Sequence, residues 1–329
     1  MSHRIRWSLS CLIACGIFAC APYARAQGRG QGPAKPDSPQ VLAGLEKAKA
    51  LAGTMWALEQ HVTCDGPEVP AAADPGPQRL FDNLYAIPGP YSRGSGVIYL
   101  ITTSAGIIQI DSGSARNIET VYLPGMKKLG LDPANVKIII IGHGHQDHFG
   151  GARYMQEHYG SHVYVSAADW AFMQLTPPPP QGQTPAPLPK LDMFAVEGQP
   201  IMLGDGKVTP VFIPAHTPGA LGLIFPVKDN GKAHMVGIVG GGMGPQGTSD
   251  QMRLFINSLQ RFQEWTKKMN VDVELQNHPI MDGFGEKLVA LRARKPGDPN
   301  PFIVGTENYS RFLEVMRQCT QVGLDRSLQ

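Results

Sequence analysis

A chain of 329 residues that is 42% hydrophobic and 17% charged can bury a sizeable core, which excludes wholesale disorder. Its formal charge of +2 gives no support to a nucleic-acid partner, and its 38 glycines and 29 prolines predict many loops.

The N-terminus reads as an export leader over residues 1–26. Arg4 and Arg6 form a basic start, and residues 8–21 are apolar but too short to span a bilayer. Ala24-Arg25-Ala26 then supplies a small-residue cleavage site, leaving Gln27 first. A short buried helix is the competing reading, as is a lipoprotein leader ending at Cys20, which the bulky Phe18 disfavours. No other apolar run is long enough for a transmembrane helix. The expectation is a secreted protein, periplasmic in a Gram-negative cell. Without the leader, 26 of the 29 bases face 27 acids, a formal −1, so the expected partner is a small molecule rather than nucleic acid. Of the five cysteines only Cys64 and Cys319 remain, and an oxidising compartment invites a disulfide. Two free buried thiols fit as well, because Cys319 continues the apolar face of Phe312 and Met316.

In chain order, residues 27–40 form a polar tail rich in Gly and Pro, 41–54 a short helix and 64–78 a loop. Residues 27–78 therefore read as an N-terminal arm, and a regular domain follows over 79–329. Apolar runs at 96–103 and 107–111, separated by Ser104-Ala105-Gly106, predict a hairpin. A helix over 115–129 precedes a strand at 136–141, apolar on both faces apart from Lys137 and hence buried. A helix at 149–159, a strand at 162–166 and a helix at 168–175 follow. Strands are predicted at 208–213, 221–227, 234–239 and 271–275. A helix over 250–269 carries Phe255, Leu259, Phe262 and Trp265 on one stripe, and a last helix spans 306–319. This alternation predicts an α/β fold, an αββα sandwich of two packed mixed sheets flanked by helices.

Chemistry concentrates in His143-Gly144-His145-Gln146-Asp147-His148. Residues two apart in extended chain share a side, so His143 and His145 can bind one ion. A turn into helix lets Asp147 and His148 face a second. At that helix start the dipole disfavours a charged imidazole, which keeps His148 free to ligate.

The H-x-H-x-D-H string resembles the signature of the metallo-β-lactamase superfamily. Ile110-Asp111-Ser112-Gly113 is similar to that family's strand-end I-D-x-G. Pro214-Ala215-His216-Thr217-Pro218-Gly219 resembles its P-x-H-T-P-G loop, and Asn277-His278-Pro279 its N-H-P. The order fits from about Leu80 to the C-terminus, and the three-His plus Asp-His-His pattern is most like subclass B3 β-lactamases. The resemblance implies a zinc-dependent hydrolase domain with two Zn2+ ions. His143, His145 and His216 would hold one, and Asp147, His148 and His278 the other. Asp147 would also orient the nucleophile, and Asp111 would fix the orientation of a ligand histidine.

One departure bears on substrate. Where subclass B3 enzymes carry serines after the strand matching 234–239, this chain reads Gly240-Gly241-Gly242-Met243-Gly244, and it holds no acid there, unlike the glyoxalase, lactonase and tRNA-processing branches. A β-lactam-type cyclic amide leads the substrate readings. Another ester, lactone or amide is the alternative, and an iron-dependent oxidoreductase of this fold, such as a persulfide dioxygenase, is a third. Gly242 to Gly247 formally matches G-x-G-x-x-G but lacks the first βαβ unit and the acid that a dinucleotide site needs. His61, His158, His162 and His234 read as surface or packed histidines. The proline-rich run 176–189 predicts a stiff extended loop at the site's rim, with an idle linker as the alternative.

Overall fold

In the computed structural model the apolar runs become two sheets. It describes residues 36–66, 76–90, 96–176, 185–242, 247–278 and 282–329; the leader 1–26 and residues 177–184 of the proline-rich run lie outside the described residues. The first sheet runs in chain order from β1 (Gln78–Phe81), β2 (Leu84–Pro88) and β3 (Val97–Thr103) through β4 (Gly106–Ile110), β5 (Val136–Ile140) and β6 (His162–Val165) to β7 (Met193–Phe194). It is antiparallel as far as β4 and parallel from β4 to β7. The second holds β8 (Ile201–Leu203), β9 (Gly206–Phe212), β10 (Leu221–Asp229), β11 (Lys232–Val239) and β12 (Val273–Gln276). Only its β11–β12 pair is parallel.

Three apolar layers hold the sheets. Tyr99, Ile108, Ile110, Ile138 and Ile140 meet Leu221, Leu223, Phe225, Ile238 and Leu275 in the central core. The odd-numbered neighbours Ile139 and Ile141 point the other way, toward Met126, Phe149 and Met155. That alternation along a buried strand is the reason residues 136–141 are apolar throughout. The outer face of the second sheet, with Val211, Ile213 and Val239, is covered by α7 (Ser249–Lys268) and α9 (Thr306–Ser327). The result is the αββα sandwich that the sequence predicts. The chain start of α7 is set by a capping box, in which the Thr248 hydroxyl accepts from the Gln251 N–H and the Gln251 side chain accepts from the Thr248 N–H.

Several elements differ from the sequence reading. The helix over 115–129 is a 3-10 turn, a wide turn at Ile118–Tyr122 and the short α3 (Leu123–Lys128), because Pro124 suits only a helix's first turn. The helix at 149–159 is split at Gly150–Gly151 into α4 (Gln146–Phe149) and α5 (Ala152–Tyr159). The helix at 168–175 is α6 (Ala167–Leu175). Strands β1, β2, β7 and β8 and the helices α2 (Ala57–Cys64) and α8 (Phe284–Ala293) were not predicted. Helix α9 continues beyond Cys319 because Val322 and Leu324 extend its buried stripe.

The arm helices α1 (Pro39–Ala52) and α2 pack on α9. Cys64 and Cys319 form a disulfide across 255 residues, with Cα atoms 4.5 Å apart, so the open question of the two thiols resolves to a bridge. Arg326 reinforces it, donating to both Asp37 oxygens at 2.9 Å and to the Cys64 carbonyl at 2.7 Å. Replacing both cysteines by Ser should lower the unfolding free energy by about 2–5 kcal/mol in denaturant titrations. An unchanged midpoint would mean that the α1–α2–α9 packing carries the arm unaided.

Candidate metal centre

The site lies where strand ends of both sheets meet. Beyond β5 the chain passes through Ile141 and Gly142 into the 143–148 motif, and α4 begins inside it at Gln146. His216 follows β9, and His278 follows β12. The structure brings His143, His145 and His216 together, and separately Asp147, His148 and His278, as two groups able to hold a metal ion.

The first group is made of three converging ring nitrogens. His143 Nε2 is 3.1 Å from His145 Nδ1, which is 3.0 Å from His216 Nε2. Zinc–nitrogen bonds of 2.0–2.1 Å in a tetrahedron require nitrogens about 3.3 Å apart, so the donor set fits such an ion. His143 Nδ1 donates to the Gly240 carbonyl, which turns the Nε2 lone pair toward its neighbours. Asn277 also donates to that carbonyl, at 2.7 Å. Gly240 is required here, since a β-carbon on it would lie 2.1 Å from the Leu221 oxygen. A β-carbon on Gly241 would press on the His216 ring from 3.0 Å. These contacts explain Gly240 and Gly241; residues 243–246 lie outside the described residues.

The second group adds a carboxylate. Asp147 Oδ2 lies 3.4 Å from His148 Nε2 and 3.6 Å from His278 Nε2, and the two nitrogens are 3.0 Å apart. Asp111 Oδ2 accepts from His148 Nδ1 at 2.7 Å, while Asp111 Oδ1 accepts from the Gly142 N–H at 2.7 Å. The contact leaves His148 Nε2 as the free ligand atom. Asp111 sits in the left-handed region at φ 57°, a conformation that costs a non-glycine residue about 1 kcal/mol or more. The two groups adjoin, with the His143 and His148 rings 3.9 Å apart.

Burial and charge set different proton states for the two groups. Burial, helped by the neighbouring rings, holds His143 well below the usual histidine range and His216 at about 3. Burial also pushes His148 down, but Asp147 and Asp111 overcome it and raise it to about 10. The expectation that the helix start keeps His148 neutral is thus corrected: α4 is one turn long, and two carboxylates outweigh its dipole. Asp147, which burial would raise, is held far below the usual carboxylate range by His148, His278 and His145.

One residue with a place in this architecture is missing from the sequence reading. Asp169, in the first turn of α6, is fully buried and accepts from Gly144 N–H, Thr217 Oγ1 and Gly219 N–H, each at 2.7 Å. A single Asp in Ser166-Ala167-Ala168-Asp169 carries no motif signal beyond its position behind a capping serine. The Phe172 ring, one turn on, meets His145 edge-on at 5.8 Å. Among the described residues the remaining histidines are surface or packing groups: His61, His162 and His234 pair with Asp65, Asp192 and Asp272, and His158 stacks on Tyr154.

The family model of the metallo-beta-lactamase superfamily matches residues 91–229. Among solved structures, the fold matches BJP-1, a subclass B3 metallo-beta-lactamase of Bradyrhizobium japonicum, at a TM-score of 0.60 and 24% identity over 82% of this chain and 94% of that one. It also matches the FEZ-1 metallo-beta-lactamase from Legionella gormanii at a TM-score of 0.65 and 23% identity, over 77% of this chain and 97% of that one. The hydroxyacylglutathione hydrolase GloC of Haemophilus influenzae is 31% identical over 96 residues, which are 27% of this chain and 44% of the relative. That likeness spans less than half the length of GloC. Residues 91–229 are thus similar to the metallo-β-lactamase superfamily, and the described fold is that of solved metallo-beta-lactamases. MEM-A1, a subclass B3 metallo-beta-lactamase isolated from a soil metagenome library, matches at a TM-score of 0.55 and 19% identity, over 75% of this chain and 91% of that one.

In the metal-free chain, ring-nitrogen NMR should find His216 neutral at about pH 5 and His148 still protonated at about pH 8. Titration of both near the ordinary value of about 6.5 would contradict the electrostatics described above.

Proposed function

We propose that the chain is a zinc-dependent hydrolase that holds two ions and opens a β-lactam-type cyclic amide. The observation that carries this reading is the pair of adjoining donor groups, three histidines beside Asp147, His148 and His278. Ions held there would supply Lewis-acid activation of water and of a substrate carbonyl. The protein's own part is orientation. Asp147 stays anionic across the working range, so its carboxylate accepts the hydrogen bond that aims the attacking water. Asp111 and the Gly240 carbonyl hold His148 and His143 in the tautomers that present Nε2. Phe172 walls one side of His145.

A second reading, hydrolysis of another ester, lactone or amide, is supported by the glycines at 240–242. They offer no hydroxyl to a substrate carboxylate, and the sequence likeness to GloC points the same way. The chemistry of a single site serves both. Export is also proposed, and the Cys64–Cys319 bridge supports it because disulfides persist in oxidising compartments. Among the described residues no helix is long and apolar enough to cross a membrane. The end of the proline-rich run supports its reading as a rim: the Ala186 N–H donates to Gln146 Oε1 at 3.1 Å, between His145 and Asp147.

Zinc loading followed by metal analysis and steady-state rates on penicillins, carbapenems and simple lactones tests the proposal. The expected outcome is about two zinc ions per chain and faster turnover of β-lactams than of lactones. Asp147→Ala should empty one site and reduce kcat by about 100-fold or more. Fewer than about one ion bound would sink the metal reading, while two ions with lactone turnover alone would move the substrate to the second class.

A further inference from the structure

The three-histidine group differs from its neighbour in having no acid among its donors, so none of its ligand atoms would offset the two positive charges of an ion there. The structure places a carboxylate directly behind that set. Asp169 Oδ2 accepts from the Gly144 N–H, which lies between His143 and His145, and from Thr217 Oγ1, beside His216. Its Oδ1 accepts from the Gly219 N–H on the same loop as His216. One side chain therefore ties together the two loops that carry all three histidines. All three partners are donors, which suits the ionised acid, because a protonated carboxyl would need an acceptor of its own. Among the described residues no charged side chain acts on it; burial lifts its pKa, and the three donors oppose that rise. An ionised group buried without a counter-charge is costly to keep.

We propose that Asp169 is a positioning residue of the three-histidine group, fixing the spacing of its two loops and supplying the negative charge that a cation there would balance. This rests on the metal-binding reading above. It assigns Asp169 an effect on one ion and not on the other, which a general role in folding would not produce.

The test isolates each site in the full chain. His278→Ala leaves the three-histidine group intact, and His216→Ala leaves the Asp147–His148 side. Zinc affinity is measured in each background against a chromophoric chelator, with and without Asp169→Asn, which removes the charge at constant size. The expected result is a loss of about 10–100-fold at the three-histidine group and less than about threefold in the other background. The visible spectrum of bound cobalt should also shift in the first background alone. Equal losses in both backgrounds, or no loss in the first, would overturn the inference. If Asp169→Asn does not fold, Thr217→Val, which deletes one donor to the carboxylate, must show the same selectivity at smaller size. If the His278→Ala chain takes up no zinc even with Asp169 present, the metal reading fails first and this inference falls with it.

Discussion

The two sheets are stitched at one end of the sandwich by main-chain contacts, and the site exists only because of that seam. Leu221 N–H donates to the Gly142 carbonyl at 2.8 Å, and Gly240 N–H donates to the Leu221 carbonyl at 3.0 Å. Gly142 N–H in turn donates to Asp111. These bonds join the ends of β4 and β5 in one sheet to the start of β10 and the end of β11 in the other. The donors of the site are distributed the same way, following β5, β9 and β12. Neither sheet alone carries a full three-histidine set. The central apolar core that presses the sheets together is thus the precondition for the chemistry, and a side chain at Gly240 would hold them apart.

Around the seam, buried carboxylates are managed with care. Asp111 and Asp169 are both buried, and both accept hydrogen bonds at each carboxylate oxygen. Asp111 and Asp147 give one donor group a surplus of negative charge, which holds His148 protonated without an ion. The other group is neutral at its donors and keeps its anion one layer back. The two halves of the centre therefore differ in electrostatics as well as in ligand type, and a proton must leave His148 before that ring can ligate.

Much of this was legible in the sequence because ligand chemistry is local there. Six residues in a row hold four of the donors, and His216 and His278 each sit in short strings of unusual composition. The main strands were legible through β-branched runs, and the stripe of Phe255, Leu259 and Phe262 marked α7. What escaped was short or non-local. Strand β7 is two residues long and β8 three, below the length at which alternation can be recognised. Helix α8 buries Phe284, Gly285 and Leu288 without a sustained stripe, and α2 buries the polar Glu59 and Gln60, so it shows no apolar stripe either. Asp169 escaped for a different reason. Its partners lie 25, 48 and 50 residues away, so its role is a property of the assembled loops.

The central claim is that the adjoining donor groups hold two zinc ions, and anomalous diffraction from crystals of the zinc-loaded chain at the zinc edge tests it most directly. The account predicts two peaks. One should lie about 2.0–2.1 Å from His143 Nε2, His145 Nδ1 and His216 Nε2, and the other at bonding distance from Asp147, His148 Nε2 and His278 Nε2. An anomalous map with no peak at either group, or with zinc bound only elsewhere on the chain, would contradict it.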